Sequence, residues 1–223
     1  MGGLIYHVLN RGNGRARLFF KNQDYQAFLQ IMLEVKSVLP VKVLGYCLMP
    51  NHWHLLLWPE HDGDLSRFML RLTTTHTRRR FAHLHHRAGG HLYQGRFKNF
   101  PVEQDEHLLT LLRYIEANPL RTPLVKRGRD WKWSSLAARI EGQRGDPAGL
   151  LDDLPLDLPA DWEPIVQQRW EKQALEQVRT CVVRGRPFGS TDWTRRIAKR
   201  LGLEFTLRPR GRPAKKPAIA RDK

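Results

Sequence analysis

Between Leu4 and Leu120, short apolar runs alternate with stretches of helical period, and a proline or a turn cluster closes almost every one. That alternation restricts the fold more than any other feature of the chain. Leu4 to Leu9 is apolar and runs into the turn-rich segment from Asn10 to Gly14, the pattern of a strand. Asp24 reads as an N-cap. Behind it Phe28, Leu29, Met32, Leu33, Val35, Val38 and Leu39 recur at helical spacing until Pro40. Val41 to Met49 and His52 to Trp58 predict two strands joined by Pro50-Asn51. Asp64 opens a second helix to about Arg87, with Leu65, Phe68, Met69, Leu72 and Phe81 on one face and Arg67, Arg71, Arg78, Arg79 and Arg80 on the other. A strand near Arg96 to Val102 follows. Asp105 then caps a third helix, with Leu108, Leu109, Leu111, Leu112 and Ile115 as its stripe, which ends at Pro119. The order is strand, helix, strand, strand, helix, strand, helix. It predicts an α+β fold: a ferredoxin-like antiparallel sheet with helices packed on one face.

Beyond Pro119 the pattern thins. The spacing predicts a domain over 1–140, a linker over 141–161 rich in Pro, Gly and acidic residues, a helical region over 162–207 and a basic tail over 208–223. Within the helical region Trp162 to Val183 reads as one helix and Asp192 to Leu201 as another. Hydrophobic residues make up 41% of the 223, enough for a sizeable core. Lys and Arg outnumber Asp and Glu by 38 to 22, a formal charge of +16, which favours a polyanionic partner. Cys47 and Cys181 alone form neither a zinc motif nor a disulfide framework. The first residues lack a basic segment followed by an apolar run, and no apolar stretch reaches bilayer length, so a cytoplasmic protein without a membrane partner is expected.

Two short stretches carry chemistry. In Pro50-Asn51-His52-Trp53-His54-Leu55, strand alternation points His52 and His54 to one side and Trp53 to the other. Two imidazoles so placed make half of a divalent metal site, although an isolated His-x-His pair also fits two unrelated histidines on a half-polar strand. In Arg113-Tyr114-Ile115-Glu116-Ala117-Asn118-Pro119, Tyr114 and Asn118 are four apart and share a helix face. Tyr114 offers a phenol able to attack a phosphodiester, and Asn118 an oxygen for a metal. Alternatively, Tyr114 is a rim residue of the core and Asn118, before a proline, a helix end.

Taken with Tyr6-His7-Val8-Leu9-Asn10-Arg11-Gly12, Tyr93-Gln94-Gly95-Arg96-Phe97-Lys98 and Trp133-Ser134-Ser135, these stretches resemble the HUH single-tyrosine transposases, in particular the branch associated with repetitive extragenic palindromes. The resemblance covers roughly residues 4 to 140. It implies metal-dependent cleavage and rejoining of single-stranded DNA at hairpin-associated sites, through a 5′-phosphotyrosine on Tyr114. It implies Mg²⁺ or Mn²⁺ held by His52, His54 and Asn118, where related transposases carry glutamine at the third position. The protein would act as a monomer or a homodimer.

Arg11, Arg96, Lys98, Arg113 and Arg121 lie in or beside the motifs and are candidates for phosphate contacts. Tyr93 and Phe97 are stacking candidates or core. Arg210 and Arg212, in Arg208-Pro209-Arg210-Gly211-Arg212-Pro213, resemble an AT-hook that reads a narrow minor groove. His76, His83, His85, His86 and His91 read as a solvated or DNA-facing surface rather than a second metal site. The rival to an enzyme is a DNA-binding regulator without catalysis, which would not need His52, His54, Tyr114 and Asn118 together.

Overall fold

The structure is a computed structural model that describes residues 1–83, 90–140 and 147–208. Strands β1 (Ile5–Arg11), β2 (Val41–Met49), β3 (His52–Pro59) and β4 (Lys98–Val102) form one antiparallel sheet in the order β2-β3-β1-β4. Helix α1 (Asn22–Lys36) connects β1 to β2, and α2 (Asp64–His83) lies between β3 and β4. This is the ferredoxin-like path that the sequence pattern predicts. Then come α3 (Glu106–Glu116), α4 (Asn118–Arg121), α5 (Ser135–Ile140), α6 (Trp162–Gln167), α7 (Lys172–Arg184) and α8 (Thr191–Leu201).

Alternation along β3 explains the layering. Trp53, Leu55 and Leu57 enter one core with Phe28, Met32, Phe68 and Leu72 of α1 and α2. Leu56, from the other parity, enters a second core with Leu108, Leu111, Leu112 and Ile115 of α3 and with Trp162, Val178 and Phe188. Helices therefore cover both faces of the sheet, and the expectation of one covered face holds only for α1 and α2. The physical reason is that β2 and β3 are apolar at both parities, so the second face needs its own cover. A register shift between Val43 and Gly45 turns Leu44 to that second face. At Gly45 a Cβ would lie 2.6 Å from Leu112 Cδ1, so the glycine lets α3 approach the strand.

Segments from the C-terminal half close both sheet edges. Leu48 N donates to Trp133 O and Asp152 N to Val43 O along the free edge of β2, while Phe188 N donates to Pro101 O beside β4. The stretch expected as a linker thus docks on the sheet through Asp152, which also pairs with Lys36 at 2.7 Å, and through fully buried Leu150. Two boundaries differ from expectation. Asp24 is the third residue of α1, not its cap, and its carboxylate accepts from Phe20 N and Lys21 N. The stretch expected as one helix from Trp162 to Val183 breaks between α6 and α7.

Candidate active site

The turn Pro50-Asn51 presents the first histidine. Its oxygens are tied down from the β1–α1 connection: Leu18 N and Phe19 N donate to Pro50 O, and Gly12 N donates to Asn51 O at 2.9 Å. The Asn51 amide nitrogen donates to Arg15 O, which turns its oxygen toward His52. That oxygen then accepts from His52 Nδ1 at 2.7 Å. His54, two residues on along β3, has Nδ1 2.8 Å from Nε2 of His7, a side chain with no exposed surface. The rings of His52 and His54 are 5.2 Å apart between centroids. The expected parity holds: Trp53 points into the opposite core.

Burial, with the nearby Arg11 and Arg121 guanidinium groups, lowers the His52 pKa to about 4. Burial lowers His7 to about 3, and burial together with His7, His52 and the two arginines holds His54 well below the ordinary range. All three rings are neutral at pH 7, the form that ligates metals. With each Nδ1 engaged, Nε2 is the ring nitrogen that His52 and His54 have for a ligand.

Helix α3 brings Tyr114 beside His54 and His7. Its ring centroid lies 6.0 Å from that of His54 and 6.5 Å from that of His7. Asn118 opens α4 rather than lying within α3, as the following proline suggests. Its amide nitrogen donates to Tyr114 O and Ile115 O at 3.1 Å each, so the amide oxygen is the atom it has for a metal. Arg121 donates to Tyr114 O at 2.8 Å and stacks its guanidinium 4.1 Å from the phenol ring. Trp170, from the α6–α7 connection, stands edge-on to Tyr114 at 6.1 Å and lies over Arg113 at 4.4 Å. Tyr114 is 8% exposed beneath this cover.

Of the other expected contacts, Arg11, Arg96 and Lys98 line one groove of about 450 Å³, with Asn10, Gln94 and Gly95 beside them and Val182 and Val183 of α7 opposite. Arg121 sits apart, against Tyr114. Arg210 and Arg212 lie outside the described residues, as do His85 and His86 and the side chain of His83. His76 contradicts the surface reading. It is buried against Phe19 and Phe28, and Tyr93 OH donates to its Nδ1 at 2.6 Å. Tyr93 is in turn a core residue that accepts from Trp53 Nε1, not a free stacking platform, and Phe97 packs against the same core. His91 is exposed.

The sequence pattern gives no site role to His7 or Trp170, and to Asn51 only its place in the turn. The parity of β1 could have found His7, since Leu9 lies opposite His54 and His7 shares its face. A second group, Glu103, Asp105 and His107, brings three ligand atoms within 4.8 Å of one another at the start of α3. Its carboxylates already serve as caps: Asp105 accepts from His107 N and Nδ1, and Glu103 from Ser190 N.

A family model described as transposase IS200 like matches residues 1–118, more than half of the chain, and those residues include His52, His54, Tyr114 and Asn118. The chain belongs to the IS200-like transposase family. This IS200-like transposase is 26% identical over 138 residues to the REP-associated tyrosine transposase of Escherichia coli K12, a match covering 60% of this chain and 76% of that one. Its fold matches the solved structure of a REP-associated tyrosine transposase bound to a REP hairpin, with a TM-score of 0.55 and 21% identity over 71% of this chain and 93% of that one. Among the described residues of the transposase, no helix is long and apolar enough to cross a membrane.

Proposed function

We propose that this transposase cleaves and rejoins single-stranded DNA at hairpin-associated sites through a covalent bond to Tyr114. The observation that carries the reading is the phenol ring of Tyr114 edge-on to neutral His54, whose strand neighbour His52 is likewise neutral, with Nδ1 engaged on both. The residues fit a divalent cation: two imidazole Nε2 atoms and the Asn118 oxygen make a mixed nitrogen and oxygen donor set suited to Mn²⁺ or Mg²⁺. When bound there, the cation would supply positive charge to non-bridging oxygens of the scissile phosphate.

The rest falls to the chain. The Tyr114 oxygen attacks phosphorus, the bond to the 3′ oxygen breaks, and the phenol gives up its proton while the 3′ oxygen gains one. The 5′-phosphotyrosine conserves the bond energy, so a 3′-hydroxyl can reverse the step and join strands without ATP. Arg121, stacked on the ring, stands ready for a phosphate. Buried side-chain nitrogens without a hydrogen-bond partner among the described residues are His7 Nδ1, Arg11 Nε, Arg113 Nε, Arg121 Nη1 and Trp170 Nε1, all in or beside this site. Four of these belong to donor-only groups, and a DNA phosphate supplies the acceptors they lack.

The groove of Arg11, Arg96 and Lys98 would hold the strand leading to the site. The hairpin partner rests on the relative whose structure holds one. The segment over 162–207, with Arg195, Arg196, Lys199 and Arg200 exposed on α8, and the Gly-Arg-Pro tail would add contacts to duplex DNA.

Incubation with a labelled hairpin oligonucleotide and Mn²⁺, followed by a denaturing gel, tests the reading. A metal-dependent protein–DNA band is expected with the wild type and none with Tyr114→Phe. Tight hairpin binding with no covalent band across a broad oligonucleotide panel would replace it with the non-catalytic DNA-binding reading.

A further inference from the structure

We infer that His7 is a positioning residue for His54: it fixes the proton of His54 on Nδ1 and thereby keeps Nε2 bare for the metal. The inference rests on the metal reading of His52 and His54. It stands on the geometry of one hydrogen bond and on the contrast between the two imidazoles of β3.

His52 settles its own tautomer locally. The Asn51 oxygen that faces it can only accept, so His52 carries its proton on Nδ1. His54 has no such neighbour in sequence. Its Nδ1 meets His7 Nε2 at 2.8 Å, and the two rings lie nearly parallel, 21° apart with centroids at 5.0 Å. Two neutral imidazoles share one proton across such a contact. If it sits on His54 Nδ1, then His54 Nε2 has a lone pair for a ligand and His7 keeps its own proton on Nδ1. If it sits on His7 Nε2, then His54 carries a proton on Nε2 and cannot ligate there without losing it. Only the first arrangement makes both imidazoles of the pair ligands through the same ring atom.

His7 gains nothing for itself from this position. It has no exposed surface, packs against Phe100, and its Nδ1 has no hydrogen-bond partner among the described residues. A buried imidazole with an unsatisfied nitrogen costs stability. An apolar ring would fill the same space between Phe100 and Tyr114 without that cost. The imidazole is accounted for by the one thing a Phe lacks, an acceptor aimed at His54. Outer partners of this kind orient metal-bound histidines and raise their affinity for the ion.

The test compares His7→Phe, which keeps the ring and removes the acceptor, with His7→Gln, whose amide oxygen can accept from His54 Nδ1. Mn²⁺ binding to the full chain is read from the loss of the free-ion paramagnetic resonance signal. His7→Phe is expected to weaken binding by about 10–100-fold, and His7→Gln to restore most of it. Wild-type affinity in His7→Phe, or equal losses in both variants, would overturn the inference, the latter by showing that packing alone matters.

A long-range nitrogen–proton spectrum of the metal-free wild-type chain decides the point without any variant. His54 is expected to be protonated on Nδ1 and bare on Nε2, and a proton on Nε2 overturns the assignment. Absence of Mn²⁺ binding by the wild type would sink the metal reading instead, and the spectrum would still decide the sense of the His7–His54 hydrogen bond.

Discussion

At Glu116 a carboxylate with no exposed surface accepts from Ser135 Oγ at 2.6 Å and from Trp162 Nε1 at 2.7 Å, with Arg139 Nε at 3.5 Å. Burial raises its pKa, and Arg139 is the main opposing influence. The residue lies two positions after Tyr114, so its anchors set where the end of α3 stands over the sheet. Replacing it with Ala takes the acceptor from buried Trp162 Nε1 and the counter-charge from Arg139, while Ser135 Oγ keeps Tyr46 O, a loss of about 3 kcal/mol. In Glu116→Gln the one amide oxygen can accept from Trp162 Nε1, the amide nitrogen then faces Ser135 Oγ, which keeps Tyr46 O as its own acceptor, and Arg139 retains Leu44 O. That variant is expected to cost about 1 kcal/mol. Urea unfolding of the two variants checks the difference, and equal losses would show that the charge itself matters. Glu116 was not legible as a buried group, because its partners lie 19 and 46 residues away. His52 and His54 were legible as a pair, because strand parity is a local property. His7 was not, because its place beside His54 depends on the β1–β3 register.

The elements that carry the site were read with small errors for similarly local reasons. β2, β3 and the capped start of α3 follow from apolar runs, a two-residue turn and Asp105, whose carboxylate accepts from His107 N. The sequence pattern runs as continuous helix through the connection between α6 and α7, since nothing in Gln168 to Glu171 forbids helix on propensity alone. Tertiary contacts decide it: Arg113 donates to Gln168 O, and Trp170 lies over the Arg113 guanidinium. The break puts Trp170 edge-on to the Tyr114 ring, and under the proposed function a DNA strand approaching the phenol would have to pass this cover. Trp170→Ala is therefore expected to speed formation of the covalent band several-fold at saturating oligonucleotide. A slower reaction in that variant would mean that Trp170 holds the substrate rather than screening the nucleophile.

For the whole molecule, the family match ends at residue 118, but the fold does not. Trp133 and Asp152 cover the β2 edge, Phe188 covers the β4 edge, and Trp162, Val178 and Phe188 fill the core behind α3. The sequence pattern suggested a self-contained domain over 1–140, because composition shifts at that point. Composition does not reveal that the later segments dock on open strand edges. A chain ending at residue 140 would expose an edge of β4 and strip apolar cover from α3, the conditions for edge-to-edge association. Such a truncation is expected to aggregate or to elute as large species in size-exclusion chromatography. A soluble monomer with native-like circular dichroism would establish 1–140 as an independent domain.

The Tyr114 phenol oxygen is the atom proposed to bond to DNA. Mass spectrometry of a tryptic digest, after reaction with a hairpin oligonucleotide and Mn²⁺ and nuclease trimming, reads this directly. Cleavage after Arg113 and Arg121 yields the peptide Tyr114-Ile115-Glu116-Ala117-Asn118-Pro119-Leu120-Arg121. That peptide is expected to carry a nucleotide on its tyrosine. An adduct on any other residue, or unmodified peptide from a reaction in which the oligonucleotide has been cleaved, would contradict it.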